Sequence, residues 1–206
     1  MSQTAKTLDI SAKGDVREAI LDATDRLLAR YGYRKMTVED IAIEAGIGKG
    51  TIYLHFSSKE EVVLSRVDRV VDRVKERLWV IVRSDATAAS RLRMMLLTRV
   101  MFRFDSVQHY TQSINEALSA LRPGLLARRK RYFDEEAQIF AEVLRQGHAS
   151  GEFELKNTLT AAYALLNATN GLLPYSLSAT ELGKREEVEE RTAAIADLML
   201  SGLLKR

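Results

Sequence analysis

Residues 37–61 constrain the fold of this chain more than any other stretch of its sequence. Within them, one apolar face recurs at helical spacing: Val38, Ile41, Ala42 and Ala45. Thr37 precedes this face as a helix cap, with Asp40 three residues later in a capping-box position. Gly46 follows, where a helix must turn out through a left-handed backbone conformation that only glycine adopts without a steric cost. The pattern predicts two short helices joined by a tight turn.

The second of these helices is predicted from about Gly48 to Leu54. Ile52 and Phe56 point back to a small core, which leaves small and polar side chains on the other faces. A preceding helix is predicted from a cap at Asp15 to a stop at Gly32, because apolar residues recur between them at helical spacing. Together with a second capping box, Ser58-Lys-Glu-Glu, which opens a long helix, these elements form a helix-turn-helix module.

This stretch resembles the DNA-binding domain of TetR-family transcriptional regulators. The resemblance covers about a quarter of the chain, from Val16 to Val67. It rests on three segments: Thr37-Val-Glu-Asp-Ile-Ala, Ala45-Gly-Ile-Gly-Lys-Gly-Thr-Ile-Tyr-Leu-His-Phe, and Ser58-Lys-Glu-Glu. Gly48 departs from the pattern, because relatives commonly have serine or a similar cap there. The resemblance implies an all-α protein in which this domain is joined by a long helix to a larger helical domain for ligand binding and dimerisation.

The resemblance also implies which residues contact double-stranded DNA, since the second helix of such a motif enters the major groove. The implied DNA-binding residues are Thr37, Lys49, Gly50, Thr51, Tyr53, His55 and Lys59. Net charge adds little support, because residues 1–60 contain nine basic and nine acidic side chains although the whole chain carries +3. The basic surface is therefore expected to be local and the non-specific affinity modest.

The remainder of the chain has helical periodicity nearly throughout, which gives about nine helices in all. Five of them are predicted at 87–103, 106–120, 123–147, 157–175 and 185–204, with Pro123 in a first helical turn. The predicted organisation is a flexible arm at 1–14, a DNA-binding domain at 15–60 and a regulatory and dimerisation domain at 61–206. The arm is polar and without an apolar core segment, so no signal peptide is expected.

No charged residue occurs between Lys156 and Glu181. A membrane span is disfavoured because Asn, Thr, Gly and Pro interrupt the stretch, so a helix buried by protein is expected. By resemblance, this segment and the last helix form a homodimer interface. Its predicted residues are Ala161, Ala162, Leu165, Leu166, Leu172, Leu173, Ile195, Leu198, Met199, Gly202 and Leu203. A dimer would place two reading helices about one DNA turn, roughly 34 Å, apart on a palindromic operator.

The resemblance further implies a small-molecule effector that alters the separation of the two reading helices and releases a repressor from DNA. Candidate pocket residues are the apolar, aromatic and isolated polar residues of the middle helices: Trp79, Met94, Met101, Phe102, His109, Tyr110, Asn115, Phe140, Tyr163, Asn167 and Asn170. Few charges are expected among them, which favours a hydrophobic or aromatic effector.

Two other classes of function compete with a DNA-binding regulator. An enzyme is disfavoured for two reasons. A phosphate loop needs Ser or Thr directly after Gly-Lys and a preceding strand, whereas here Gly50 intervenes and a helix precedes. The three histidines are also dispersed. The acidic pairs Glu135-Glu136 and Glu186-Glu187 are interpreted as solvated helix faces. The absence of cysteine excludes disulfides and thiolate metal sites; no cofactor is expected, and a cytoplasmic location is compatible. A helical adaptor that uses the module for protein contacts is the alternative to a DNA-binding regulator.

Overall fold

Eight helices make up the computed structural model, which describes residues 3–107, 114–174 and 183–204, with 3–14 and 114–119 as backbone only. They are α1 (Gln3–Lys35), α2 (Val38–Ala45), α3 (Lys49–His55), α4 (Lys59–Val82), α5 (Ala88–Asp105), α6 (Ile114–Ala149), α7 (Thr158–Asn170) and α8 (Arg185–Ser201). The only extended pairing in the described part of the chain is an isolated bridge between Phe153 and Leu204. The predicted all-α fold is therefore confirmed.

The chain divides into two units, each with its own core. Unit 1 contains residues 1–69 and 112–122, and unit 2 contains residues 70–111 and 123–206. The predicted boundary at residue 60 was too early, because the first turns of α4 belong to unit 1. Val62, Val63 and Leu64 are all buried there and extend the apolar face that the helix-turn-helix packs on.

α1 differs from its prediction at the N-terminal end. It begins at Gln3 and passes through Asp15, so residues 3–14 continue a helix and do not form the predicted flexible arm. Extending an existing helix costs far less than nucleating a new one, and this polar stretch contains no proline. The predicted stop at Gly32 is a kink instead, since Gly32 has a φ of 73° within α1 and the helix continues to Lys35.

A cluster of ion pairs fastens α4 to α1 inside unit 1. The guanidinium of Arg69 donates to Glu18 at 3.0 Å, to Asp22 at 2.6 Å and to Asp25 at 2.6 Å. Arg66 pairs with the other oxygen of Asp25, and both arginine side chains are largely buried. These acidic residues of α1 are therefore paired with arginines of α4 within unit 1.

α6 is one continuous helix where two helices were predicted at 106–120 and 123–147. Pro123 lies inside it, not in a first turn. An internal proline loses one backbone hydrogen bond and costs about 3 kcal/mol, but the helix is held by packing on both sides of it: Leu121 is buried in unit 1, and Phe140 in unit 2. Pro123 itself is exposed and lies where the chain passes from one unit to the other.

The core of unit 2 is built from α4, α5, α6, α7 and α8 around Leu78, Leu92, Phe140 and Leu166. Gly147 of α6 lies at its edge, and its carbonyl accepts from the backbone amides of Glu152 and Phe153 as the chain turns back. The Glu152 carboxylate then accepts from the amides of Ala88 and Ala89, both at 2.8 Å, and so caps α5.

Gly147→Ala is expected to destabilise the protein, although alanine favours a helix by about 1 kcal/mol over glycine. An added methyl group would lie 2.3 Å from the Phe153 ring and 2.8 Å from the Ala88 side chain, and overpacking of this kind costs about 1–3 kcal/mol. Gly171→Ala is the control, because Gly171 has a φ of −66° and no described atom within 4 Å of the added methyl. Urea unfolding followed by circular dichroism measures both; equal midpoints would contradict the prediction.

No helix in the described residues is both long enough and apolar enough to cross a membrane.

Candidate nucleic-acid interface

The first helix of the helix-turn-helix begins with the capping box that the sequence predicted. The Thr37 amide donates to the Asp40 carboxylate at 2.8 Å, and the Asp40 amide donates to the Thr37 hydroxyl at 3.1 Å. The hydroxyl also donates to the same carboxylate at 2.7 Å, and these bonds hold the pKa of Asp40 below its ordinary value. Asp40 therefore stays charged and keeps Thr37 fixed at the start of α2.

The turn and the second helix also follow the prediction. Gly46 has a φ of 69° and a ψ of 31°, the left-handed conformation expected of it. Ile52 and Phe56 are buried, and the guanidinium carbon of Arg17 lies 4.4 Å from the Phe56 ring centroid. α3 is thus held from one side, while Gly48 caps it without a side-chain hydrogen bond.

The remaining faces of α3 are open to solvent. Lys49, Gly50 and Tyr53 are exposed, the last at 51%, whereas Thr51 and His55 are partly buried. No described atom lies within 4 Å of a methyl group built on Gly50, so a backbone or base edge has room to approach there. Six of the seven predicted residues therefore lie on the helix-turn-helix. They are Thr37, which precedes α2, and five residues of α3: Lys49, Gly50, Thr51, Tyr53 and His55.

Leu54 is a residue that the sequence interpretation missed. Its side chain is 84% exposed next to Tyr53, although it is apolar. A solvent-facing leucine on a helix of this type can contact the methyl group of thymine, which is one way base identity is read in the major groove. The sequence did contain a signal for this exposure, because Leu54 lies outside the inward-facing pattern set by Ile52 and Phe56.

Glu39 of α2 pairs with Lys49 of α3 across the turn. The Lys49 ammonium lies 3.2 Å from the Glu39 carboxylate, and both side chains are at least half exposed. An exposed pair of this kind contributes little to stability, so the lysine can exchange its carboxylate partner for a phosphate at low cost.

Lys59 does not match its predicted role as a phosphate contact. Its ammonium donates to the carbonyls of Tyr33 and Met36, both at 3.0 Å, and lies 4.4 Å from the Tyr33 ring centroid. Partial burial lowers its pKa. Because these carbonyls follow the kink at Gly32, the side chain fastens the start of α4 to the segment between α1 and α2.

Lys59→Met is expected to lower the free energy of unfolding by about 1.5–3 kcal/mol, since it removes charge-assisted hydrogen bonds to two carbonyls. Lys49→Met, which breaks only an exposed pair, is expected to stay within about 0.5 kcal/mol of the wild type. Thermal unfolding of the two variants under one buffer condition measures the difference. An unchanged melting temperature for Lys59→Met would restore the phosphate-contact interpretation.

The predicted ligand-binding residues are scattered through unit 2. Phe140 and Met101 are buried in two separate apolar clusters, while Phe102, Tyr163 and Asn170 are partly buried. Trp79, Met94 and Asn167 are exposed, so they do not line an enclosed site. His109, Tyr110 and the side chain of Asn115 lie outside the described residues. Helical periodicity could not distinguish these environments, because it identifies an inward face but not what that face encloses.

A shallow surface pocket of about 270 Å³ lies between α5 and α8, where none of the predicted ligand-binding residues contributes. It is lined by Ala89, Ser90, Arg93, Asp197, Leu200, Ser201 and Leu204. Arg93 and Asp197 form an ion pair across it, with a nitrogen to oxygen distance of 2.6 Å.

Unit 2 also contains a buried charge cluster that the sequence interpretation missed. Arg99 donates to Glu136 at 2.7 Å and Arg103 donates to the other carboxylate oxygen of Glu136. Glu136 is 1% exposed, so its interpretation as part of a solvated helix face was wrong. Burial alone would raise the pKa of Glu136, but the charges of Arg103 and Arg99 outweigh it and lower the pKa.

The predicted dimer residues separate into two groups. Ala162, Leu165, Leu166 and Leu173 are buried within unit 2, so they belong to its core and not to a free surface. The reason is that α7 packs on α5 and α8 through its leucines, which turns its small residues Ala164 and Ala168 outward. Leu198 of α8 is 76% exposed and Gly202 is exposed, and the remaining residues of the set are partly buried: Ala161, Leu172, Ile195, Met199 and Leu203.

The described residues include no group of three or more histidine, aspartate or glutamate side chains arranged to hold a metal ion. A capped α2, a glycine turn and an α3 with an open polar face, in a protein with a second helical unit, place it in the class of helix-turn-helix proteins.

Comparison with known proteins agrees with this class. Residues 20–65 match the family model described as bacterial regulatory proteins, tetR family. The chain is 28% identical over 160 residues to the transcriptional repressor KstR2 of Mycobacterium tuberculosis, covering 74% of this chain and 76% of that protein. It is 34% identical over 77 residues to the fatty acid metabolism regulator protein of Bacillus subtilis, covering 37% of this chain and only 40% of that relative. The residues matched by the family model contain the end of α1, all of α2 and α3 and the start of α4.

A solved structure supports the same fold across both units. The SmeT–triclosan complex superimposes with a TM-score of 0.69, covering 93% of this chain and 92% of that one at 21% identity. At this identity the similarity shows the fold alone.

Proposed function

We propose that this protein is a homodimeric transcriptional repressor that binds a palindromic operator and is released by a small organic effector. The observation that carries the proposal is the geometry of α2 and α3, in which buried Ile52 and Phe56 hold a helix whose Lys49, Gly50 and Tyr53 face solvent. A helix supported from one side and polar on the other fits the major groove.

Within this interface the contacts fall into two classes. Thr37 at the start of α2, together with Tyr53 and His55, contacts phosphates and fixes the position of the module, because phosphate contacts position a protein without reading sequence. Gly50, Thr51 and Leu54 approach the base edges, and Lys49 contacts a phosphate beside them. Lys59 is left out of the contact set, since its ammonium is bound to the carbonyls of Tyr33 and Met36.

The dimer is proposed to form through the outward face of α7 and α8. Small residues on α7, Ala164 and Ala168, permit close approach of a second copy, and exposed Leu198 of α8 supplies apolar surface that one copy alone leaves in water. One α3 contacts few base pairs, so two related by a twofold axis are needed to read an operator.

Effector release is proposed to act through unit 2. α4 contributes residues to both units, so a ligand that favours one arrangement of unit 2 shifts the population of the DNA-binding state. Among relatives, KstR2 carries the name of a repressor, and SmeT was solved with triclosan. Binding and release constitute the mechanism, without catalysis or a cofactor, and the site of action is the cytoplasm, where the operator lies.

Selection of bound duplexes from a random DNA pool tests the proposal. Purified protein is expected to enrich an inverted repeat with half-sites about one helical turn apart, and to elute as a dimer of twice the 23.2 kDa chain mass. Affinity for that duplex is expected to fall steeply between low and moderate salt. A folded dimer that enriches no motif, or that binds with no salt dependence, would favour the protein-binding adaptor.

A further inference from the structure

The buried cluster of Arg99, Arg103 and Glu136 is not balanced in charge. Two guanidinium groups face a single carboxylate, and their side chains are 1%, 6% and 1% exposed. In the described residues no second carboxylate reaches either arginine. Among the described residues, the cluster therefore carries one positive charge more than its carboxylate compensates, which is strongly unfavourable in an apolar core unless another group neutralises it.

The hydrogen bonds of the cluster leave donors unused. Arg99 donates through one terminal nitrogen to Thr169 Oγ1 at 3.0 Å and to the Leu166 carbonyl at 3.4 Å, and through Nε to Glu136. Among the described residues nothing accepts from its other terminal nitrogen. Arg103 bonds the Arg99 carbonyl at 3.0 Å and Glu136, which leaves its Nε without a described acceptor. Excess charge and free donors thus occur at one place.

Two stacked aromatic rings lead from this cluster towards solvent. The Phe133 ring centroid lies 6.0 Å from the guanidinium carbon of Arg99, and Phe133 stacks on Tyr163 with 5.7 Å between centroids. The Tyr163 hydroxyl donates to Asp134 at 2.8 Å, and Asp134 pairs with the exposed Lys130. Both rings are only partly buried, so they form an apolar connection between the buried cluster and the surface of α6 and α7.

We propose that Arg99 and Arg103 bind the carboxylate of the effector, and that the effector is an organic monoanion with an apolar body lying along Phe133 and Tyr163. A single negative charge neutralises the positive charge that Glu136 leaves uncompensated. A phosphate dianion would bring one negative charge too many. Guanidinium groups bind carboxylates through paired, charge-assisted hydrogen bonds. This inference rests on the proposed function, since it names the chemical class of its effector.

Two carboxylic acids, decanoate and 4-phenylbutyrate, test it against their primary amides, which have the same apolar body without the charge. The acids are expected to raise the melting temperature of the full-length protein and to release the selected operator duplex, while the amides do neither. Equal responses to acid and amide, or no response to either acid, would overturn the proposal.

The Arg103→Met variant separates a ligand site from a purely structural ion cluster. Removing the excess charge leaves the Arg99–Glu136 pair intact, so the melting temperature without probe is expected to equal or exceed that of the wild type. The acid concentration that this variant needs for a given rise in melting temperature is expected to be at least tenfold higher than for the wild type. Arg103→Lys, which keeps the charge, is expected to retain part of the response, and Arg93→Met, on an exposed face of α5, to respond as the wild type does.

A marked loss of stability in Arg103→Met, or an unchanged acid response, would assign the cluster a structural role and overturn the proposal. Failure of the repressor proposal gives a different result. In that case the wild type without probe selects no DNA motif, while the melting-temperature shifts with acids still report whether the arginines bind a monoanion.

Discussion

Replacing both Lys49 and Tyr53 with alanine is expected to weaken operator binding at least about 100-fold while leaving the protein folded and dimeric. Each such contact to DNA contributes about 1–3 kcal/mol, and a loss of about 2.7 kcal/mol corresponds to a factor of 100. Both side chains are about half exposed, at 50% and 51%, and neither belongs to the core that holds α3. Their removal therefore changes the DNA-facing surface without creating a cavity.

Fluorescence anisotropy with the selected duplex measures this loss, and a scrambled duplex of the same length reports non-specific affinity. The matched control is Tyr31→Ala with Lys156→Ala, which removes the same two side-chain types from exposed positions outside the helix-turn-helix. The control is expected to bind at wild-type strength. Wild-type affinity in the Lys49 and Tyr53 variant, with the fold intact, would rule out the assigned interface.

The single variant Lys49→Ala refines the same expectation. If its ammonium exchanges the Glu39 carboxylate for a phosphate, the slope of log affinity against log salt concentration falls by about 1 for each protomer. Glu39 is freed by the same change, so the partner carboxylate adds repulsion that lowers affinity further at low salt. Thr51 and Leu54 substitutions, in contrast, are expected to alter base preference more than the salt slope.

The helix-turn-helix was readable from sequence because each of its features is local. Thr37 and Asp40 are three residues apart, and their mutual hydrogen bonds need only one turn of helix. Gly46 requires nothing beyond its own backbone conformation, and Ile52 and Phe56 are set inward by helical spacing alone. These caps, turns and periodicities are interactions within a few residues, so local rules predicted α2, the turn at Gly46 and α3.

Features that depend on distant residues were not predictable in the same way. Glu136 lies beside Glu135 in the sequence and was interpreted as solvated, yet its partners are 33 and 37 residues away on α5. Lys59 has the composition of an ordinary surface lysine, but its partners are the carbonyls of Tyr33 and Met36. Pro123 indicates a helix end by local rules, and packing on both sides overrides that local preference.

Glu136→Gln is expected to give the largest loss of stability of any single substitution considered for this chain. The change leaves two buried guanidinium groups without a negative charge, and breaking a buried ion pair on one side costs about 3–5 kcal/mol. For a protein of this size that corresponds to a fall in melting temperature of about 6–20 °C. Calorimetry on the wild type and variant at pH 7 measures it.

Glu135→Gln is the matched control, because Glu135 is the adjacent residue and forms a half-exposed ion pair with Lys75 at 2.5 Å. Exposed pairs contribute about 0–1 kcal/mol, so this variant is expected to melt within a few degrees of the wild type. Equal melting temperatures for the two glutamine variants would mean that the buried cluster contributes no more than a surface pair.

The difference in stability between the wild type and Glu136→Gln is also expected to depend on pH. Because Arg103 and Arg99 lower the pKa of Glu136 in the folded state below its ordinary value of about 4.3, the stabilisation from this carboxylate is complete above that value. It is lost as the pH falls through the lower folded-state pKa, since protonation then favours the unfolded chain. Urea unfolding from pH 7 down to pH 3 is therefore expected to show the wild type converging towards Glu136→Gln, whose glutamine cannot titrate. A constant difference across this range would place the origin of the stability loss in packing and not in charge.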